Sequence, residues 1–170
     1  MIRRLAIHKL REWRFSEDRK PLIIRGVRQV GKTTLVKEFA KEFDTFLHLN
    51  LERSKDSELF EQTDDLAQLL QSIYFHKKQE QKDGSVLLFI DEIQNSKKAV
   101  AMLRYFYEEA PEVHVIVAGS LLETVMDVRK ISFPVGRVEF MSLRPCSFLE
   151  FLGGLGEDFD KELVENFSVE

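Results

Sequence analysis

Residues 26–33 read Gly26, Val27, Arg28, Gln29, Val30, Gly31, Lys32 and Thr33, the full spacing G-x-x-x-x-G-K-[ST]. The glycines allow main-chain N–H groups to turn inward on a polyphosphate, and a Cβ at Gly31 would obstruct that approach. A helix opening at this point adds the partial positive charge of its N-terminus. Lys32 then reaches the β- and γ-phosphates, and the Thr33 hydroxyl ligates Mg²⁺. Thr34 completes the set of loop residues expected against the ligand. Arg28 and Gln29 lie inside the loop with side chains expected to point away from the phosphates, because the backbone does the cradling. Arg28 can then face a partner.

Three further strings supply the rest of such a reaction. The apolar run over 86–90 ends in Asp91 and Glu92, and Asp91 stands 91 − 32 = 59 residues beyond Lys32. In a parallel sheet that run puts Asp91 at the carboxyl edge, where ligands bind. Asp91 would hold Mg²⁺ through water, and Glu92 would orient and deprotonate an attacking water. Standing alone, the same pair could form a surface turn. The run V-I-V-A-G-S over 115–120 ends in Ser120. If this strand lies between the other two, Ser120 faces the γ-phosphate or the lytic water, and its hydroxyl equally suits a helix N-cap. Arg137, in P-V-G-R over 134–137, could stabilise transition-state charge, in cis or in a neighbouring subunit, worth ~10³–10⁵ in rate. A structural salt bridge explains it as well.

The elements that must position these residues follow from periodicity. Residues 2–14 place Ile2, Leu5, Ile7, Leu10 and Trp13 at helical spacing. Strands are expected over 22–24, 45–51, 86–90, 113–118 and 138–143. Helices are expected over 33–43, after a cap at 63–65, over 97–109, over 120–128 and from 147. Strands alternating with helices suit βαβ units, hence a three-layer α/β fold with a mostly parallel sheet and helices on both faces. A further helix over 158–167 would carry Phe159, Leu163, Val164 and Phe167 on one side, a face that needs covering.

Composition narrows the class. The 170 residues are 44% hydrophobic and 32% charged, sufficient for one domain with a real core. No apolar run approaches the ~20 residues that span a bilayer. A single cysteine, Cys146, excludes an internal disulfide framework and a thiolate-rich zinc site, and reads as a small buried residue in a reducing, cytoplasmic setting. Net charge is −4, which lends nucleic-acid binding no support. Residues 1–20 carry a local +4 and residues 147–170 a local −6. These are either solvated helix faces or surfaces for an acidic partner and another domain. His8, His48, His76 and His114 lack metal-ligand spacing and read as satisfied structural histidines. Phe60, Phe75, Phe89, Phe106, Phe140 and Phe148 read as core.

Taken in order, the strings RGVRQVGKTTL, LLFIDEIQ, VIVAGSLLE and SFPVGRVEFMSLRPCSFLEFL resemble a group of bacterial and archaeal ATPases within the AAA superfamily. That group usually carries a C-terminal domain of unknown function. The resemblance runs from about Pro21 to Leu152. It implies a P-loop NTPase fold with a five-stranded sheet of order 5-1-4-3-2, ATP rather than GTP, and Mg²⁺. It also implies Walker A roles for Lys32 and Thr33, Walker B roles for Asp91 and Glu92, and a sensor-1-like place for Ser120. Residues 1–152 then form the ATPase domain, with an N-terminal amphipathic helix in 1–20. Residues 153–170 are an acidic tail that begins a missing or shortened second domain. Two functions fit: an Mg²⁺-dependent ATPase that drives a partner, and an ATP/ADP switch with negligible turnover that orders a protein-binding surface. The expected partners are the nucleotide and either another protein or the protein's own C-terminal domain. A homo-oligomer follows if Arg137 acts in trans. A GTPase is disfavoured because no N-K-x-D string follows the third strand, and the Glu after Asp91 favours water over a kinase acceptor.

Overall fold

A computed structural model describes residues 4–120, 122, 130 and 132–155. Five strands form one sheet: β1 (Leu22–Arg25), β2 (Thr45–Asn50), β3 (Val86–Asp91), β4 (Val113–Ala118) and β5 (Glu139–Ser142). All four pairings are parallel. The order is β2-β3-β4-β1-β5, which read from the other edge is the expected 5-1-4-3-2.

The inner strands are apolar on both faces, and their alternation builds two cores. Ile23, Leu47, Leu49, Leu88, Ile90, Val115 and Val117 face α3 (Ser54–Gln62), α4 (Leu66–His76) and α5 (Lys97–Glu109). Leu22, Ile24, Leu87, Phe89, Ile116 and Ala118 face α1 (Ala6–Arg14) and α2 (Lys32–Phe39), through Leu10, Trp13, Leu35, Val36 and Phe39. The result is a three-layer α/β/α sandwich. A last helix, α6 (Phe148–Leu155), follows β5. Among the described residues no helix is long and apolar enough to cross a membrane.

Local chemistry sets the element ends. The Asp65 carboxylate accepts from Gln68 N–H at 2.8 Å to cap α4, and Ser96 Oγ accepts from Ala99 N–H at 3.0 Å to cap α5. Helix α3 was not expected, because S-K-D-S-E-L-F-E-Q offers only Leu59 and Phe60 to a core. What fixes it is Asp56, 3% exposed, which accepts from Asn50 N–H at 2.8 Å, lies 2.7 Å from His76 Nε2 and accepts from Lys77 Nζ at 2.9 Å. Burial works against that carboxylate, yet these partners hold it below the usual range. The expected helix over 120–128, Ser120 and Leu122 aside, and the expected helix over 158–167 lie outside the described residues.

Several expectations for single residues are corrected. Cys146 is exposed, since the chain leaves β5 along the surface there. Phe75 is 87% exposed at the solvent side of α4, and Phe148 is 63% exposed. Phe140, 48% exposed on the edge strand, is covered instead by the Arg25 guanidinium, 3.8 Å above its ring. The basic N-terminal stretch is largely engaged within the molecule: Arg11 and Arg14 pair with Glu42, and Lys20 pairs with Asp18. His48 is wedged between Phe46 and Phe89, with Nε2 buried and without a hydrogen bond.

His114 is the second residue of the central strand, its ring edge-on to Trp13 and Phe43 and its Nδ1 3.1 Å from the Val86 carbonyl oxygen. Burial first, and the Arg19 charge second, push its pKa down to about 4. The unfolded chain takes up a proton here below pH ~6.5, whereas the folded chain resists until about pH 4. Stability contributed by the neutral ring is therefore whole above pH ~6.5 and lost on descent toward pH 4. Discounted for partial solvent access, the loss is about 2 kcal/mol. Urea unfolding of wild type and His114→Gln at pH 7 and pH 4.5 checks this: the variant should show the smaller drop.

Candidate functional site

The carboxyl ends of β1, β3 and β4 are adjacent because β4 lies between the other two. Three connecting segments therefore meet at one edge of the sheet. Gly31 is the N-cap of α2 with φ 95°, in the left-handed region that a side chain adopts only under strain. A Cβ there would meet only Arg4 Nη1, at 3.5 Å, so within the protein it is the backbone that demands glycine at this position. At Gly26 the demand is space, because a Cβ would stand 2.5 Å from the Leu143 carbonyl oxygen. Gln29 adds a further positive φ, 63°, within the loop.

The loop encloses a cleft of about 240 Å³ lined by Arg28, Gln29, Val30, Gly31, Lys32, Thr33, Thr34, Asp91, Glu92 and Ser120. Ten residues from three separate sequence strings thus converge on one small space. Arg28 and Gln29 are exposed at its border. Gly26 and Val27 stand outside the lining and act through their carbonyls, which accept from Lys32 Nζ at 2.8 and 3.0 Å. Burial pushes the Lys32 ammonium below the usual lysine range, while the charges of Glu92 and Asp91 oppose that shift.

Across the cleft, Thr33 Oγ1 donates to Asp91 Oδ2 at 2.7 Å, and Asp91 is 7% exposed. One hydroxyl and one buried carboxylate in contact form the hard-oxygen pair that suits Mg²⁺, which takes few protein ligands and keeps water or phosphate on its other positions. Among the described residues no cluster of three or more His, Cys, Asp or Glu could hold a metal unaided. The pair therefore fits an ion that arrives with a polyphosphate.

Glu92 has φ 55° and ψ 46°, a left-handed conformation uncommon for a side-chain-bearing residue. Its Oε2 accepts from Ser120 Oγ at 3.2 Å, from Ser120 N–H at 3.4 Å and from the Gln94 side-chain amide. Sequence reasoning overlooked Gln94, although it lies in the same string, two residues past Glu92. It also overlooked why position 119 is glycine. A Cβ there would stand 2.2 Å from Gln94 Oε1 and 2.4 Å from Leu122 Cδ2. Gly119→Ala should therefore push the Gln94 amide off Glu92 and overpack the sheet edge, lowering stability by about 1–3 kcal/mol. Urea unfolding, paired with phosphate release per folded molecule, checks both effects.

Arg137 is not brought to the cleft. It precedes β5, whose first residue, Glu139, registers with Leu22 at the start of β1, while the loop follows Arg25 at the other end. A strand of that length spans about 13 Å. Arg137 Nε instead donates to Glu108 Oε1 at 2.9 Å, beyond the amino edge of the sheet. The expectation of a charge-stabilising role in cis is corrected, and the salt-bridge alternative is what the geometry holds.

A broader, open depression of about 940 Å³ lies between α3 and α4, lined by Leu59, Phe75 and His76 among others. It is mostly apolar and shares no lining residue with the cleft.

Comparison with solved structures places this fold beside "the Walker-type ATPase" of Pyrococcus abyssi, with a TM-score of 0.61 at 17% identity. That match covers 100% of this chain and 60% of the other, so this chain spans less than two thirds of its neighbour's length. Among curated proteins none matches the sequence. The family model described as "AAA domain" matches residues 18–152. With the parallel sheet, the loop at the carboxyl end of β1 and the acidic end of β3 on the same edge, the chain belongs to the AAA domain family of P-loop ATPases.

Proposed function

We propose that this chain binds ATP with Mg²⁺ at the cleft and hydrolyses it to drive a partner. The observation that carries this reading is the 2.7 Å contact between Thr33 Oγ1 and Asp91 Oδ2, beside the Lys32 ammonium. The loop amides and the start of α2 would bind phosphate oxygens, and Lys32 would leave the carbonyls of Gly26 and Val27 for the β- and γ-phosphates. Thr33 and Asp91 would hold Mg²⁺, which when bound neutralises charge on the phosphates. Glu92 would take a proton from the attacking water, oriented by Ser120 and Gln94. A cleft of about 240 Å³ is below the usual size of a whole-ligand pocket. It suits the triphosphate, with the nucleoside lying outside the loop.

A second reading, a nucleotide switch with negligible turnover, is favoured by the donors already occupying Glu92 Oε2. Phosphate release from ATP, measured with Mg²⁺ and then with EDTA across a range of protein concentrations, tests both. Mg²⁺-dependent release supports hydrolysis, and release per molecule that rises with concentration supports a role for Arg137 in a neighbouring copy. Tight binding with no release at any concentration supports the switch. The partner, whether another protein or a C-terminal domain, is part of the proposal, as are a cytoplasmic setting and a homo-oligomer.

A further inference from the structure

The phosphate loop is gripped from behind by two residues that are far from it in sequence. Arg4 Nη1 donates to the Val30 carbonyl oxygen at 2.9 Å, and Arg4 Nε donates to Glu150 Oε1 at 3.2 Å. A third bond runs from Arg4 Nη2 to the Arg144 carbonyl. Glu150 is 8% exposed, and the side chains of the pair are 15% and 7% exposed. Its Oε1 also accepts from Leu5 N–H at 2.7 Å, while Oε2 accepts from Ser147 N–H at 2.8 Å. Glu150 N–H in turn donates to Ser147 Oγ at 3.2 Å, so the same carboxylate closes a reciprocal cap on α6. An ordinary capping glutamate is solvated; this one is sealed against the start of the chain.

The geometry matters because the peptide bond is planar and trans. When the Val30 carbonyl points at Arg4, the N–H of Gly31 in the same peptide plane points the opposite way. Gly31 lines the cleft. Arg4 thereby aims an amide donor at the space that would hold a phosphate. The segment after β5 touches the loop's base a second time: Leu143 N–H donates to Arg25 O at 2.8 Å, and the Leu143 carbonyl fills the space where a Cβ of Gly26 would lie. A buried ion pair is a costly device unless its polar atoms find partners, and here all three guanidinium nitrogens and both carboxylate oxygens have one.

We propose that Arg4 and Glu150 are positioning residues of the nucleotide site, a strap that holds the loop in its phosphate-accepting shape and ties it to α6. This rests on the reading of the cleft as an ATP site. By reciprocity, whatever tightens the loop tightens the strap, and a partner that displaces α6 loosens nucleotide.

Titration of the chain with a fluorescent ADP analogue tests the proposal. Arg4→Ala should weaken binding about tenfold and Glu150→Gln several-fold. The double variant should be no weaker than Arg4→Ala alone, because the two act as one unit. Should Arg4→Ala fail to fold, Arg4→Lys serves: a single ammonium cannot span Val30, Arg144 and Glu150 at once, so binding should still weaken. In wild type, ATP should also slow hydrogen exchange at the Leu5 and Ser147 amides, a response that a purely structural pair would not give. Folded variants that bind within twofold of wild type, additive losses, or loop amides protected by ATP without any change at Leu5 and Ser147 would each overturn the strap alone. A wild-type chain that takes no nucleotide would overturn the reading of the cleft together with it.

Discussion

Lys32→Ala is expected to weaken ATP binding by about 100-fold and to remove hydrolysis at ordinary nucleotide concentrations, the scale found when one preorganised charged donor is lost from a desolvated site. The argument starts from burial. Lys32 is 7% exposed, and its ammonium is held by two carbonyls of its own loop at 2.8 and 3.0 Å. An incoming phosphate therefore finds a cation already desolvated and aimed, with two neutral acceptors to outcompete. Alanine leaves those carbonyls to water at the open cleft, which should lower stability by about 1 kcal/mol. That is small against the 5–15 kcal/mol typical of a domain. Circular dichroism should be unchanged while the titration flattens, so loss of binding is separable from loss of fold.

Glu92→Gln should give the opposite pattern: ATP affinity within a few-fold of wild type and phosphate release down by about 10²–10⁴. The amide is isosteric but takes no proton. It can still accept one of the hydrogen bonds that Ser120 and Gln94 give Oε2, so the left-handed turn at Glu92 should survive. Single-turnover measurement with enzyme in excess separates the two effects. Turnover equal to wild type would remove Glu92 as the base.

The loop and the acidic strand end were legible because their chemistry is local. Residues 26–33 are contiguous, and the five apolar residues before Asp91 announce a strand buried on both faces. Even the relation between strings could be read conditionally, since Ser120 joins the site only if its strand is central, and β4 is central. The choice between the two readings of Arg137 was not legible, for a geometric reason. Its place between β4 and β5 in sequence does not say at which end of β5 the side chain emerges, and register with β1 puts it at the amino edge. Helix α3 escaped because a polar segment was fixed by one buried carboxylate instead of an apolar stripe. The Arg4–Glu150 pair spans 146 positions, and nothing in either flanking sequence points to the other. Contacts of that separation are set by the closure of the sheet, after every local preference has been satisfied.

The central claim is that the cleft takes a triphosphate, with a divalent ion between Thr33 and Asp91. A crystal structure of the chain with Mg²⁺ and a non-hydrolysable ATP analogue measures this most directly. The account predicts that Lys32 Nζ will have left the Gly26 and Val27 carbonyls for phosphate oxygens, with Mg²⁺ inserted where Thr33 Oγ1 and Asp91 Oδ2 now touch. A bound analogue elsewhere, with the Lys32 and Thr33 hydrogen bonds unchanged, would contradict it.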